Sequence, residues 1–289
     1  MNVPGYARRA RRRSGKVALN AVAVVVAVVT LAPILLMIST SLKPAAEILT
    51  LTPHLLPSHP TLSNYSAVIS GRSAGMPYWV FLRNSLVVTV VAVLASSLIA
   101  VLAAIAVARF RFRFRTTYLL MLLIVQMLPQ QALVIALFLD FRAANLLDSL
   151  VGLTILYAAF ALPVTIFMLR NFVAAVPRQL EEAAAIDGAG PLRVFWNVLL
   201  PLVAPGMVTT SVFAFISAWN EFIFALTFLG TDESKYTLPL FVGFFQGQHS
   251  TAWGPVMATS TLFTVPVMIF FLLVQRNLRD GMVAGAVKG

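Results

Sequence analysis

The chain is expected to be an all-α, polytopic membrane protein with six transmembrane helices, and three observations carry that expectation. Of its 289 residues, 60% are hydrophobic and only 11% charged, with a mean hydropathy of +0.90. A soluble domain of this size needs far more charge to cover its surface. The apolar residues gather in six runs, each near the roughly 20 residues that cross a hydrocarbon core of about 30 Å. Finally, 16 of the 21 Lys and Arg residues fall on one side of a six-span arrangement, the positive-inside pattern. Both termini, and the loop between the fourth and fifth spans, are therefore expected to be cytoplasmic.

Residues 1–16 form a basic segment with Arg8, Arg9, Arg11, Arg12, Arg13 and Lys16. The first span follows at residues 17–39. It is too long for an ordinary signal-peptide core and lacks a small-x-small cleavage site, so it reads as retained. The segment over residues 40–83 contains Lys43, Pro44, Glu47, Pro53, Pro57 and Pro60. Its proline density predicts an extended, lid-like connection with one short helix near residues 45–49. The second span, 84–108, ends on a link carrying Arg109, Arg111, Arg113 and Arg115. The third and fourth spans, 117–139 and 149–169, hold Pro129 and Pro163. Such prolines suit a protein that rocks, yet they are common in any multi-span bundle.

The fifth span is expected at 203–229 and the sixth at 255–274, separated by a polar and aromatic segment with a short helix between residues 238 and 246. Tyr236 and Trp253 there suit anchoring at the headgroup level. The last segment, 275–289, is expected to be a cytoplasmic tail, and its glycine-rich part, residues 281–289, to be flexible in isolation. No internal repeat is evident, which weighs against the inverted-repeat plan of many secondary transporters.

Between the fourth and fifth spans lies a polar island, about residues 176–202. A helix-forming run from Pro177 to Asp187 meets Gly188, and a second run from Pro191 to Leu200 meets Pro201. The expected product is a helix-turn-helix outside the lipid. Ala183, Ala184 and Ala185 give it a small-sided face, and Gly188 allows the turn. An amphipathic interfacial loop whose alanines only favour helix is the plainer alternative. Glu182-Ala183-Ala184, three residues, Gly188, nine residues, Val198, then Leu200-Pro201 fits the pattern EAA-x3-G-x9-[IV]-x-L-P. This resembles the signature of the permease subunits of binding-protein-dependent ABC importers.

The resemblance extends along nearly the whole chain. Ser41-Leu42-Lys43-Pro44 with Glu47, Asn64-Tyr65, Asn84-Ser85, Trp219-Asn220-Glu221-Phe222 and the closing run from Arg279 to Gly289 are similar to the carbohydrate-uptake branch. In pattern the chain is similar to the smaller permease of maltose-type importers. The resemblance implies a bacterial inner-membrane, multi-pass subunit that forms half of a sugar pathway. Its partners would be a second homologous permease, two ATP-binding subunits, an extracytoplasmic solute-binding protein or lipoprotein, and membrane lipid. The loop would be a coupling helix seated in the ATPase. Glu182, Ala183, Ala184, Asp187, Gly188, Arg193, Leu200 and Pro201 are then the coupling residues. For Glu182, Asp187 and Arg193, a solvated face and dipole compensation at helix ends remain open.

Several chemistries are missing from the sequence. No P-loop occurs: the one Gly-Lys pair, Gly15-Lys16, is followed by Val17. Energy must come from another subunit or a gradient; the resemblance implies a partner ATPase that binds ATP and Mg²⁺, with no cofactor in this chain. There is no cysteine, His54, His59 and His249 are not spaced as metal ligands, and no hydrolase template is present. Catalytic and metal-binding residues are therefore expected to be absent. The net charge of +11 reads as a topology signal and not as a nucleic-acid surface.

Polar groups inside spans are costly unless they face a cavity or a partner. Gln126 and Gln130 flank Pro129 and, at helical spacing, share a face. Trp219, Asn220 and Glu221 combine an aromatic surface with hydrogen-bonding groups, as sugar recognition requires. These five are the candidate pathway residues. Helix–helix glue is the alternative for the amides, and Ser and Thr in spans often bond back to their own helix. Glu221 suits either a structural hydrogen-bond role or the proton site of a stand-alone secondary transporter.

Overall fold

The computed structural model describes residues 5–50, 54–71, 75–245 and 251–286, with side chains described from residue 19 to residue 275 of these. The basic cluster's side chains, Pro53, Arg72, Gln246, Gln248, His249 and the last basic residues lie outside that description. Five helices are long and apolar enough to cross a membrane, and one sharply bent pair supplies the sixth candidate span. The chain divides into two units, Met1–Ser73 with Phe245–Leu262 and Ala74–Phe244 with Phe263–Gly289.

The first unit holds α1 (Gly5–Ser41), α2 (Ala45–Ile48), α3 (Ser63–Ser70) and the opening of α13 (Trp253–Ala286). α1 turns Leu19, Val29 and Leu35 outward, as a lipid-facing helix does. The segment after it is less extended than its prolines suggest, because polar groups fold it back. Asn64 Nδ2 donates to the carbonyls of Ser41 and Lys43, both at 2.9 Å. The Ser41 and Tyr65 hydroxyls meet at 2.7 Å. Glu47 accepts from the backbone N–H groups of Ser58 and His59, and the buried Lys43 ammonium donates to the His54 carbonyl. Gly254 closes against this knot: a Cβ there would lie 2.5 Å from Asn64 Oδ1. The residues that carried the resemblance in this segment are thus its hydrogen-bond framework. The short helix expected near 45–49 is present as α2.

The second unit is built on α4 (Tyr78–Arg109), α7 (Leu150–Ala175) and α10 (Leu200–Trp219), with α4 packed chiefly on α7 and α10 against both. α4 buries Val88, Ala92, Ser96, Ala100 and Ala104, one residue every four. That small-sided stripe lets two backbones approach closely, which drives helix association where lipid tails offer no hydrophobic contrast. Ser97 and Ser211 add a hydroxyl contact of 3.1 Å between α4 and α10. Gly206 on α10 serves the same end: a Cβ would sit 2.4 Å from the Phe172 ring of α7.

Three expectations about the spans need correction. The third span is not one helix. α5 (Arg115–Met127) ends before Pro129, a short 3₁₀ turn covers Gln130–Leu133, and α6 (Val134–Ala143) leaves at 89°. Pro129 lacks an N–H and disfavours helical geometry in the residue before it; Leu128 is accordingly extended at φ −70°, ψ 130°. Gln126 and Gln130 therefore do not share a helical face. Second, Pro201 does not end the helix that begins at α9 (Pro191–Val194). A π turn at Phe195–Leu199 joins α9 to α10, and the Leu200 N–H bonds to the Phe195 carbonyl five residues back. The widened turn makes room for the proline ring and absorbs its missing donor. The continuous rod is Pro191–Trp219. Third, the fifth span breaks at Asn220, and the short α11 (Ile223–Phe228) follows.

The remaining elements close the unit. Asn84 Nδ2 donates to the carbonyls of Ser234 and Tyr236, and Ser85 Oγ accepts from the Leu238 N–H, fixing α12 (Leu238–Gly243) to the start of α4. This is the helix expected after residue 238. Asp148, before α7, accepts from Thr231 through both its N–H and its hydroxyl. The Thr231 hydroxyl is the leading cause that holds the Asp148 carboxyl below the usual range, against a smaller opposing effect of burial. α13 runs on as helix to Ala286, into the glycine-rich end.

Candidate functional site: the EAA loop and an intramembrane cavity

Between α7 and α9 the chain forms α8 (Arg178–Ile186), with Pro177 as its N-cap instead of its first helical residue. Gly188 takes the left-handed conformation at φ 82°. The Gly188 N–H bonds to the Ala185 carbonyl at 3.1 Å, and the Ala189 N–H to the Ala184 carbonyl at 2.9 Å. This is a Schellman ending, the geometry that glycine after a helix permits. The expected turn residue is therefore in its expected place. Glu182, Ala183, Asp187, Gly188 and Arg193 are exposed, Ala184 is half-buried, and Leu200 and Pro201 lie on the joined α9–α10 rod, half-buried and exposed respectively.

Sequence reasoning overlooked two features of this loop. Ile186 and Leu192 are 86% and 76% exposed, so two large apolar side chains stand at the tip beside the turn. The acid that anchors the loop is Glu181, not its neighbour Glu182. Arg109, the last residue of α4, reaches Glu181 Oε1 at 2.7 Å, and the same guanidinium nitrogen lies 2.8 Å from the Val176 carbonyl. Arg178 returns the link by donating to the Arg109 carbonyl at 3.0 Å. The available signal was an arginine ending a span. Such a residue satisfies terminal carbonyls and seeks an acid nearby.

A half-buried ion pair of this kind is costly to break on one side, since the remaining charge loses its partner. Arg109→Gln is expected to loosen α8 by about 2 kcal/mol, the range for hydrogen bonds to charged groups. Limited proteolysis of residues 176–202 should accelerate in Arg109→Gln and in Glu181→Arg, and slow again in the R109E/E181R exchange. Equal cleavage rates in all four proteins would show that the pair does not hold the loop.

The second feature is a cavity of about 300 Å³ lined by Gln130, Tyr157, Phe160, Thr165, Phe213, Ser217 and Glu221, among others. It combines aromatic rings with hydroxyl, amide and carboxylate groups. Of the five candidate pathway residues, Gln130 and Glu221 line it. Gln126 is exposed on α5. Trp219 is 1% exposed and stacks on Phe215, with Phe263 5.5 Å away, so it belongs to the aromatic core. Asn220 is exposed and donates to the Ile216 carbonyl, closing the end of α10.

Glu221 is heavily committed. Its carboxylate accepts from the Tyr157 hydroxyl at 2.6 Å and from the N–H groups of Phe224 and Ala225 at 2.9 and 3.0 Å. It thus caps α11 and ties it to α7, which is why the fifth span can break here at low cost. Tyr157 escaped the sequence reading, although a tyrosine hydroxyl inside a span needs a partner and so points to one. Among the described residues no group of acidic or histidine side chains is arranged to hold a metal ion.

Comparison with known proteins follows the same lines. The chain is 40% identical over 275 residues to the diacetylchitobiose uptake system permease protein DasC of Streptomyces coelicolor, covering 95% of this chain and 98% of that protein. It is 35% identical over 268 residues to the trehalose/maltose transport system permease protein MalG of Thermococcus litoralis, covering 92% and 95%. In fold it resembles a chain from the crystal structure of a bacterial ABC transporter involved in the import of the acidic polysaccharide alginate, with a TM-score of 0.77 and 24% identity over 96% of this chain and all of that one. Residues 96–284, which include the EAA loop and the whole of the cavity wall, match the family described as binding-protein-dependent transport system inner membrane component. The chain belongs to that family.

Proposed function

We propose that this protein is the non-catalytic, membrane-spanning subunit of an ATP-driven importer for a sugar or sugar derivative. It pairs with a second, homologous permease to enclose the pathway, and an extracytoplasmic binding protein delivers the solute. Two separate ATPase subunits bind ATP and Mg²⁺ and grip the EAA loops from the cytoplasm, where both termini also lie. The observation that carries this reading is the loop itself. A Schellman turn at Gly188 presents Ala183, the half-buried Ala184, Ile186 and Leu192 beside Glu182, Asp187 and Arg193, and Arg109–Glu181 braces it against α4. An exposed apolar tip rimmed by charges is what a protein partner covers.

In this mechanism closure of the ATPase pair moves α8 and α9, and the continuous rod carries the motion into the wall of the cavity. Gln130, Tyr157, Thr165, Ser217 and Glu221 supply hydrogen-bonding groups to the pathway, with Phe160 and Phe213 as aromatic faces. To shift the population of inward- and outward-facing states decisively, nucleotide binding must favour one by about 5 kcal/mol.

Reconstitution tests the proposal. Proteoliposomes holding this chain, its partner permease and a P-loop ATPase should accumulate sugar when ATP and binding protein are supplied, without a proton gradient. Accumulation by this chain alone, driven by a proton gradient, would refute it. No observation favours that rival: the Glu221 carboxylate it needs is occupied as a helix cap.

A further inference from the structure

The link between α4 and α5 has a composition that the proposed function does not use. Residues 109–115 read Arg-Phe-Arg-Phe-Arg-Phe-Arg, and no acidic residue occurs between Glu47 and Asp140. Glu181 neutralises Arg109. Arg111 and Arg113 are exposed, as are Phe110, Phe112 and Phe114 at 63%, 43% and 66%. The Arg113 guanidinium lies 5.9 Å from the centre of the Phe114 ring.

Geometry fixes where this link sits. α4 is a candidate span of 32 residues, and α5 opens the bent pair that forms another. Five residues join them, a reach of about 17 Å even when fully extended. A link so short between two membrane helices stays at the membrane boundary. Phe110 is extended, at φ −100° and ψ 146°, and the Arg115 N–H turns back to the Phe112 carbonyl. Arginine and phenylalanine alternate along the link and both kinds of side chain are exposed, at a depth where acyl chains end and phosphates begin. Exposed aromatic rings at this depth enter the acyl boundary, and guanidinium groups bind phosphate oxygens in pairs.

We infer that residues 110–114 form a seat for the headgroup of an anionic phospholipid, with Arg111 and Arg113 on the phosphodiester and the phenylalanines among the first methylenes. The link itself carries no acid, and Glu181 is taken up by Arg109, so Arg111 and Arg113 favour a net negative lipid over a zwitterionic one. The seat stands whether or not the EAA loop engages an ATPase, though it is joined to that loop: Arg178 on α8 donates to the carbonyl of Arg109, the residue that begins the link. A seated lipid thereby steadies the base of α8.

The test uses the full-length chain in nanodiscs of phosphatidylcholine mixed with phosphatidylglycerol, followed by extraction and mass spectrometry of the lipid it retains. Wild type is expected to retain phosphatidylglycerol preferentially, and salt should reduce that preference. The R111Q/R113Q variant is expected to lose about five-fold of the preference for each arginine removed. Arg142→Gln, outside the link, should leave it unchanged. No preference in wild type, equal preference in R111Q/R113Q, or an equal loss in Arg142→Gln overturns the assignment. So does a double variant that keeps its lipid yet no longer co-purifies with an ATPase subunit, which would assign the arginines to protein contact. If the double variant fails to insert, the wild-type salt titration decides.

Discussion

Gly188→Val should insert and assemble normally yet hydrolyse ATP without driving uptake. A side chain at this position meets nothing within 4 Å, so crowding is not the reason. The reason is the backbone: φ is 82°, which disfavours L-residues by about 1–2 kcal/mol and β-branched ones by more. Relaxing that angle breaks the Ala189–Ala184 and Gly188–Ala185 hydrogen bonds and lets the second arm of the loop swing away from α8. A cost of about 2 kcal/mol reduces the population of the correct turn roughly 30-fold. Gly188→Asn is the control, because asparagine tolerates the left-handed region and should keep most of the coupling. The readout is solute accumulated per ATP hydrolysed in proteoliposomes. Wild-type coupling in Gly188→Val would mean that the turn's shape is irrelevant to any partner.

Glu221→Ala is the second large expected effect, and it is primarily one of stability. It strips the acceptor from the Tyr157 hydroxyl and from two N–H groups at the start of α11. Unsatisfied buried donors cost about 1–3 kcal/mol each; with water from the adjacent cavity able to reach some of them, a net loss of about 3 kcal/mol is expected. The thermal midpoint of the detergent-solubilised protein should fall accordingly. Glu221→Gln keeps a carbonyl oxygen and should fall between the two, with ATP-driven uptake retained and its pH dependence unchanged. Loss of uptake in Glu221→Gln at a wild-type thermal midpoint would point instead to a protonation role.

The legible and illegible parts of this fold separate along a physical line. The number of candidate spans could be read from hydropathy because lipid imposes length and polarity on any crossing segment, whereas the course of the third and the ends of the fifth could not. Gly188 could be read because a left-handed turn after a helix leaves glycine as the strain-free choice. Prolines were harder, since their effect depends on the turn around them. Pro129 breaks its helix with a bend of 89°, whereas Pro201 is absorbed by a π turn. The pathway candidates divided for a similar reason. A polar group inside a span announces a partner without naming it: Glu221 found Tyr157 and the start of α11, Asn220 found its own helix, and Trp219 was drawn into an aromatic stack. Glu181 and Glu182 were indistinguishable without the position of Arg109.

The uninterrupted run from Pro191 to Trp219 makes the two ends of the fifth span one mechanical object. Its 29 residues reach about 43 Å at helical rise. Rotating such a shaft by about 5° displaces its far end by roughly 4 Å, more than the length of a hydrogen bond. A small torque applied at Pro191 is therefore geared up at Phe213 and Ser217, and the break at Asn220 spares α11 from following.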